Sequence, residues 1–239
     1  DRGTLEQEFP AILKDWKRND FIQDWVRERA TLNLKEATIP LQRHPYEPCY
    51  LFEAGIAPLA RYPLKGVLWY QGESNAHNPD SWRFDLLARS WRMRMGDFSL
   101  PLYVVQLSGI ERPSWPWMRN TQRIAQRSVF ATQMVVSSDL GLRHDVHPPY
   151  KRPVGERLAQ SMLRHTYDRS GAPVSPEVGA NSKVDGDRVQ LDLREAKGLH
   201  GSDGQPLRGF EIAGENQLFF PATAALNEDG KLILRAPKV

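Results

Sequence analysis

Three short, nearly uninterrupted apolar runs constrain this chain most: GVLWY (Gly66–Tyr70), LYVVQL (Leu102–Leu107) and MVVSS (Met134–Ser138). A strand with one wet face alternates apolar and polar residues, whereas a run apolar at successive positions needs cover on both faces. Between and after these runs lie amphipathic stretches of helical length, Ser81–Met95, Trp117–Phe130 and Pro153–Tyr167. Buried strands alternating with helices imply parallel strands joined by helical crossovers, the α/β class.

The flanks read differently. Phe9, Ile12, Leu13 and Trp16, then Ile22, Trp25 and Val26, recur at helical spacing, so the first thirty or so residues predict one helix or a broken pair, with Pro10 in a first turn. A loop rich in proline and aromatics follows from Ile39 to Tyr50. Beyond Asp168, the turn pairs Asp185-Gly186, Asp203-Gly204 and Asp229-Gly230 punctuate short alternating runs, the pattern of antiparallel β structure. The expected organisation is one domain over residues 1–169 and a β-rich, incomplete region over 170–239.

Composition excludes several partners. With 239 residues, 40% of them hydrophobic, the chain can bury one good core. The net charge is only +3, and Lys and Arg alternate with Asp and Glu rather than clustering, so no nucleic-acid partner is expected. No apolar run reaches membrane-spanning length, so no membrane partner is expected either. Cys49 is the single cysteine, which rules out an internal disulfide and leaves the redox compartment open. No signal-peptide pattern opens the chain, and because it begins with Asp1 rather than Met, the native start is expected upstream.

Parallel sheets bind ligands at the carboxyl ends of their strands. The first strand runs into Gln71, Gly72, Glu73, Ser74 and Asn75; the second into Gln106, Ser108 and Glu111; the third into Asp139, Arg143, His144, Asp145 and His147. Side-chain amides and a glycine N–H can hold an oxyanion, and a carboxylate can orient a histidine base, so the set suits acyl transfer. A plainer reading stays open at this point: Gln71, Glu73 and Asn75 cap the following helix, and His147 sits in a loop stiffened by Pro148 and Pro149. His144 and His147 also invite a metal, but no third ligand stands at a suitable spacing, and neither metal nor organic cofactor is expected.

Two blocks carry a family resemblance. LKGVLWYQGESNA (Leu64–Ala76) and DVHPPYKRPVGERLA (Asp145–Ala159), with FEAGIAPLARYPLKG (Phe52–Gly66) leading into the first, resemble the sialate O-acetylesterase family of carbohydrate acetylesterases in the SGNH hydrolase superfamily. The resemblance runs from about Pro48 to Tyr167. It implies a three-layer α/β/α, flavodoxin-like parallel sheet, to which the tail adds a C-terminal antiparallel β extension. It also implies removal of acetyl groups from sugars by a serine–histidine mechanism. By the match of blocks, His147 is the base and Asp145 the residue that orients it; Gln71 or Asn75, with the Gly72 amide, forms the oxyanion hole; Glu73 braces the loop or the histidine.

The chain also departs from the family. The GQSN nucleophile block and the later glycine block do not occur in it, and Ser74 falls within the oxyanion block. The expectation is therefore a C-terminal part, inactive alone, whose nucleophile comes from a missing N-terminal segment or from a separate chain. Asp145 stands two residues before His147, whereas the superfamily often places its acid three before, where this chain has His144; that leaves Asp139, or a dyad without an acid, open. The implied substrate is an O-acetylated sugar such as sialic acid, or a xylan-type sugar, and the implied location is extracytoplasmic: periplasmic, secreted or lysosomal. A non-catalytic sugar-binding domain that retains the pocket is the alternative. Trp115 and Trp117 either stack on the sugar, with Arg112 or Arg119 meeting a carboxylate, or pack against the sheet. Trp69 and Trp91 are expected in the core, and Arg83, Arg89, Arg92 and Arg94 on a solvated helix face.

Overall fold

A computed structural model describes residues 2–8, 10–20, 22–39 and 42–239. The chain opens with three helices, α1 (Arg2–Glu8), α2 (Pro10–Leu13) and α3 (Asp24–Leu34). Pro10 takes the first position of α2, where its missing N–H costs no intrahelical bond. Asp15 adopts a left-handed φ of 48°, and the chain continues through a single 3-10 turn, Trp16–Arg18, before α3. The expected helix is thus broken into pieces. Phe9, and the Pro40–Leu41 part of the expected loop, lie outside the described residues.

The parallel sheet is built from β1 (Val67–Trp69), β2 (Leu102–Val105) and β3 (Thr132–Val135) in the order β1-β2-β3. Val67 pairs with Leu102 and Leu102 with Thr132, parallel throughout. Helix α4 (Trp82–Met95) connects the first pair and α5 (Trp115–Ser128) the second. All four residues of the central strand β2 are buried, as its unbroken apolar run requires. Leu102 joins Val67, Ala88, Leu100 and Val129 in one cluster, against which Phe84, Leu87 and Trp91 of α4 pack. A fully buried valine or leucine of this cluster contributes about 1.5–3 kcal/mol by leaving water. Leu68, on the edge strand, remains 53% exposed. Trp69 and Trp91 meet edge to face, their ring centroids 5.8 Å apart.

Helix α4 ends at Gly96, whose φ of 67° is cheap only for glycine and whose N–H closes on the carbonyls of Arg92 and Met93. Arg92 departs from expectation: it is buried rather than solvated, and donates to Leu100 O at 3.0 Å and Phe130 O at 2.6 Å. A planar guanidinium satisfies two main-chain carbonyls that arrive from separate loops. Helix α5 begins two residues earlier than the apolar spacing suggests, with Pro116 in its first turn. Strand β3 is likewise shifted upstream, so that Ser137 and Ser138 fall in the loop beyond it.

The last helix, α6 (Arg152–His165), spans the division between two compact units, Asp1–Leu158 and Ala159–Val239. This division lies upstream of the 169/170 boundary expected from sequence. In the second unit, β4 (Glu177–Asp185), β5 (Arg188–Arg194), β6 (Phe210–Ala213), β7 (Phe219–Leu226) and β8 (Leu232–Arg235) form an antiparallel sheet in the order β4-β5-β8-β7-β6. Gly186, at φ 53°, turns β4 into β5. Gly230, at φ 74°, lies between β7 and β8, where the Asn227 side chain accepts the Lys231 N–H at 2.8 Å. Ile212, Ala224, Leu232, Leu234 and Ala236 form this unit's core. The α/β class and the C-terminal antiparallel extension agree with the sequence reading. Among the described residues, no helix is long and apolar enough to cross a membrane.

Candidate active site

Beyond β1 the backbone turns sharply at Gly72, φ 143°, a conformation L side chains rarely adopt. A Cβ there would stand 2.9 Å from Met118 Cε and 3.3 Å from Gln122 Nε2, so the loop lies directly on α5. Glu73–Asn75 form a 3-10 turn closed by the Asn75 N–H on Gly72 O at 2.9 Å. The exposed Gln71 amide donates to Asn75 Oδ1, which ties the two ends of the turn together. Glu73, partly buried, opens that turn.

The loops after β2 and β3 interlock. A Cβ on Gly109 would lie 2.5 Å from Ser138 O, and one on Gly141 would fall on the Gly109 carbonyl, so both positions admit only glycine. The fully buried Ser137 donates to Gln106 O at 2.6 Å, and Gln106 Nε2 donates to Arg119 O at 3.0 Å. The Glu111 N–H donates to Arg143 O at 2.9 Å, while its carboxylate pairs with the Arg143 guanidinium. That guanidinium holds the Glu111 carboxyl below the usual range.

His147 and Asp145 are bonded to each other. Asp145 Oδ1 accepts the His147 backbone N–H at 2.8 Å and lies 2.8 Å from His147 Nδ1. The backbone bond first, and the ring bond second, lower the Asp145 carboxyl from its ordinary value. Both side chains face solvent, His147 at 85% and Asp145 at 55% exposure. Asp139, the acid left open by sequence, is occupied elsewhere: Arg157 meets its two oxygens at 2.6 Å each and also donates to Val136 O at 2.7 Å. A bidentate guanidinium leaves this carboxylate little capacity for an imidazole. Among the described residues, no three His, Cys, Asp or Glu side chains are grouped closely enough to hold a metal ion.

Contacts on both sides of His147 bring its loop to the loop after β1. Val146 packs on the cluster of Ala76, Leu107, Trp115 and Met118, and Ala76 is the neighbour of Asn75. Four residues past His147, Lys151 Nζ lies 4.9 Å from the centroid of the Tyr70 ring, next to Gln71. Pro148 between them is fully buried. Local sequence pattern places each residue on its own loop; this shared cluster is a tertiary result.

Trp115 needs correction as a sugar-stacking residue. Its ring is fully buried, and its Nε1–H donates to Ser108 O at 2.7 Å, so it fills the gap beneath the β2 loop. Arg112, exposed, lies with its guanidinium carbon 5.5 Å from the Trp115 ring centroid. Trp117 is the exposed tryptophan of α5, at 57%. Sequence reasoning also passed over Gln122, a polar residue on the buried face of α5 with Met118 and Ala125, and over a cavity of about 300 Å³ between α4 and α5. Trp69, Phe84, Leu87 and Met118 line that cavity beside Gln71 and Asn75. A lone glutamine in an apolar stripe was the available signal, because a buried amide must find partners.

A family model described as carbohydrate esterase, sialic acid-specific acetylesterase, matches residues 22–164, and the chain belongs to this family. The sialate O-acetylesterase of Homo sapiens is 29% identical over 187 residues, covering 65% of this chain and 35% of that protein. The one from Mus musculus is 32% identical over 138 residues, covering 48% and 26%. A solved structure, a carbohydrate acetylesterase from Xanthomonas citri, superposes with a TM-score of 0.67 at 34% identity, over 76% of this chain and 44% of that one. The chain thus spans about a third of the length of the human relative and under half of the solved enzyme.

Proposed function

We propose that this chain carries the histidine and oxyanion half of a carbohydrate O-acetylesterase, acting on an O-acetylated sugar such as sialic acid. The serine nucleophile comes from outside the chain, on an N-terminal segment of the same protein or on a separate chain, and the 239 residues alone are inactive. Serine Oγ attacks the acetyl carbonyl while His147 Nε2 takes its proton. The tetrahedral oxyanion meets the Gly72 N–H and the amide of Gln71 or Asn75. His147 then returns the proton to the sugar oxygen, the free sugar leaves, and water, activated by the same imidazole, cleaves the acetyl-serine. Asp145, on Nδ1, keeps the Nε2 lone pair directed at the serine. Glu73 braces the loop. None of these steps draws on a metal or an organic cofactor.

The supporting observation is that Val146, next to His147, and Ala76, next to Asn75, share one hydrophobic cluster with Leu107, Trp115 and Met118. An oxyanion donor contributes roughly 10²–10³ in rate and a general base roughly 10²–10⁴, so both parts are needed for useful turnover. Arg112, exposed and with its guanidinium carbon 5.5 Å from the Trp115 ring centroid, would meet the carboxylate of an acidic sugar. Family resemblance favours an extracytoplasmic site of action: periplasm, exterior or lysosome.

The test is acetate release from a generic acetyl ester and from an O-acetylated sialic acid by the whole protein, with His147→Ala alongside. The variant is expected to lose at least about 10³-fold in kcat with an unchanged melting temperature. Sugar binding without turnover by the native protein would instead establish a binding domain that retains the pocket. Release from acetylated xylan but not from sialic acid would reassign the sugar.

A further inference from the structure

We infer that Gln122 is a positioning residue that aims the Gly72 N–H, an inference that rests on the oxyanion role proposed for that amide. Gln122 projects from α5 and is only 6% exposed. Its Oε1 accepts the Leu107 N–H at 2.9 Å, and its Nε2 donates to Val105 O at 3.3 Å and Gln71 O at 3.2 Å. The β1–β2 ladder ends at the pair Trp69 and Val104. Past that rung the strands part, and the carboxamide of Gln122 bridges the gap, bonding main chain on both sides.

Gln71 O and the Gly72 N–H belong to one peptide unit. That unit is planar and trans, so its carbonyl and its N–H point in opposite directions. Holding the Gln71 carbonyl against Gln122 therefore fixes the direction of the Gly72 N–H, away from α5. Met118 Cε and Leu107 Cδ2, 2.9 and 3.4 Å from where a Gly72 Cβ would stand, block the peptide from sinking into the helix. Gly72 O accepts the Asn75 N–H, so the same anchor also sets the turn that carries Gln71 and Asn75. An oxyanion donor acts through direction and distance, and a displacement near 1 Å can cost about 10²-fold in rate.

The experiment measures kcat and KM for an acetyl ester in the whole protein carrying Gln122→Glu or Gln122→Met, with melting temperatures and with His147→Ala as reference. Gln122→Glu keeps the acceptor for Leu107 but replaces the donor to Gln71 O with a carboxylate oxygen; Gln122→Met removes every bond. Both variants are expected to lose about tenfold or more in kcat with KM within about twofold, since the donor acts in the transition state. A folded variant that keeps kcat within about twofold overturns the inference, as does a loss confined to KM. If neither variant folds, Gln122 is a determinant of the fold and the inference also fails. Full activity in His147→Ala would instead remove the acyl-transfer reading itself, whatever the Gln122 variants do.

Discussion

Lys151 Nζ lies 4.9 Å from the centroid of the Tyr70 ring, so the segment that follows His147 is fastened to the residue that precedes Gln71. A partly exposed cation–π contact contributes about 0.5–1 kcal/mol. Lys151→Ala is therefore expected to lower the melting temperature by roughly 1–4 °C, read by thermal melts beside the native protein. Tyr70→Phe keeps the ring and removes a buried hydroxyl that, among the described residues, has no hydrogen-bond partner. It is expected to melt at or above the native temperature, because an unsatisfied hydroxyl costs about 1–3 kcal/mol. A clear drop in melting temperature would show that the hydroxyl is bonded.

The Asp139–Arg157 pair makes stability depend on pH. Hydrogen bonding from Arg157, ahead of the opposing effect of burial, holds the Asp139 carboxyl below its ordinary value. A carboxyl lowered in the folded state contributes stability that is fully present above its unfolded value and is lost as pH falls through its folded value. Asp139 is more than half exposed, so screening limits the contribution to about 1 kcal/mol. Asp139→Asn should melt roughly 2–4 °C below native at pH 7, with the gap closing below about pH 4. Thermal melts across that range decide it; a gap independent of pH would contradict the assignment.

The glycine contact between the second and third loops is a sharp steric test. Gly141→Ala puts a methyl onto the Gly109 carbonyl, and the main chain on either side has nowhere to yield. A loss of about 3 kcal/mol or more, seen as a failure to fold or a melting temperature lower by many degrees, is expected. Gly155→Ala in α6 is the control: beyond the adjoining residues and the helix's own backbone, no atom lies within 4 Å of the added methyl, and helix propensity predicts a gain of about 0.5–1 kcal/mol.

Trp115 and Trp117 separate packing from recognition. Trp115→Ala removes a fully buried ring and its bond to Ser108 O, and should cost about 3–5 kcal/mol. Trp117→Ala removes an exposed ring and should change stability by less than about 0.5 kcal/mol. Denaturant titration of the two variants reads both numbers, and equal losses would contradict the burial difference.

The succession of elements was legible because it depends on local periodicity. LYVVQL is apolar on both faces, and its strand is buried on both. The two motif blocks likewise located the loops after β1 and β3 and named the family. Element ends were less legible: Trp115 and Pro116 open α5 where the apolar spacing pointed to Trp117. Arg92 shows the same limit, since a guanidinium on a helix reads as solvated until two loop carbonyls from elsewhere in the chain converge on it.

The sequence by itself determined the α/β class, the antiparallel tail and the family, and left Asp139 open beside Asp145 as the partner of His147. The tertiary structure decided that Asp145 bonds His147, that Val146 packs on the cluster holding Ala76, that Arg157 occupies Asp139, that Trp115 is core, and that Gln122 spans the gap between β1 and β2. The physical reason is the range of the interactions. Hydrophobic periodicity and short turns act over a few residues and are written into the chain locally. A buried amide or guanidinium, by contrast, takes its partners from whatever main chain the packing of helices on the sheet delivers to it.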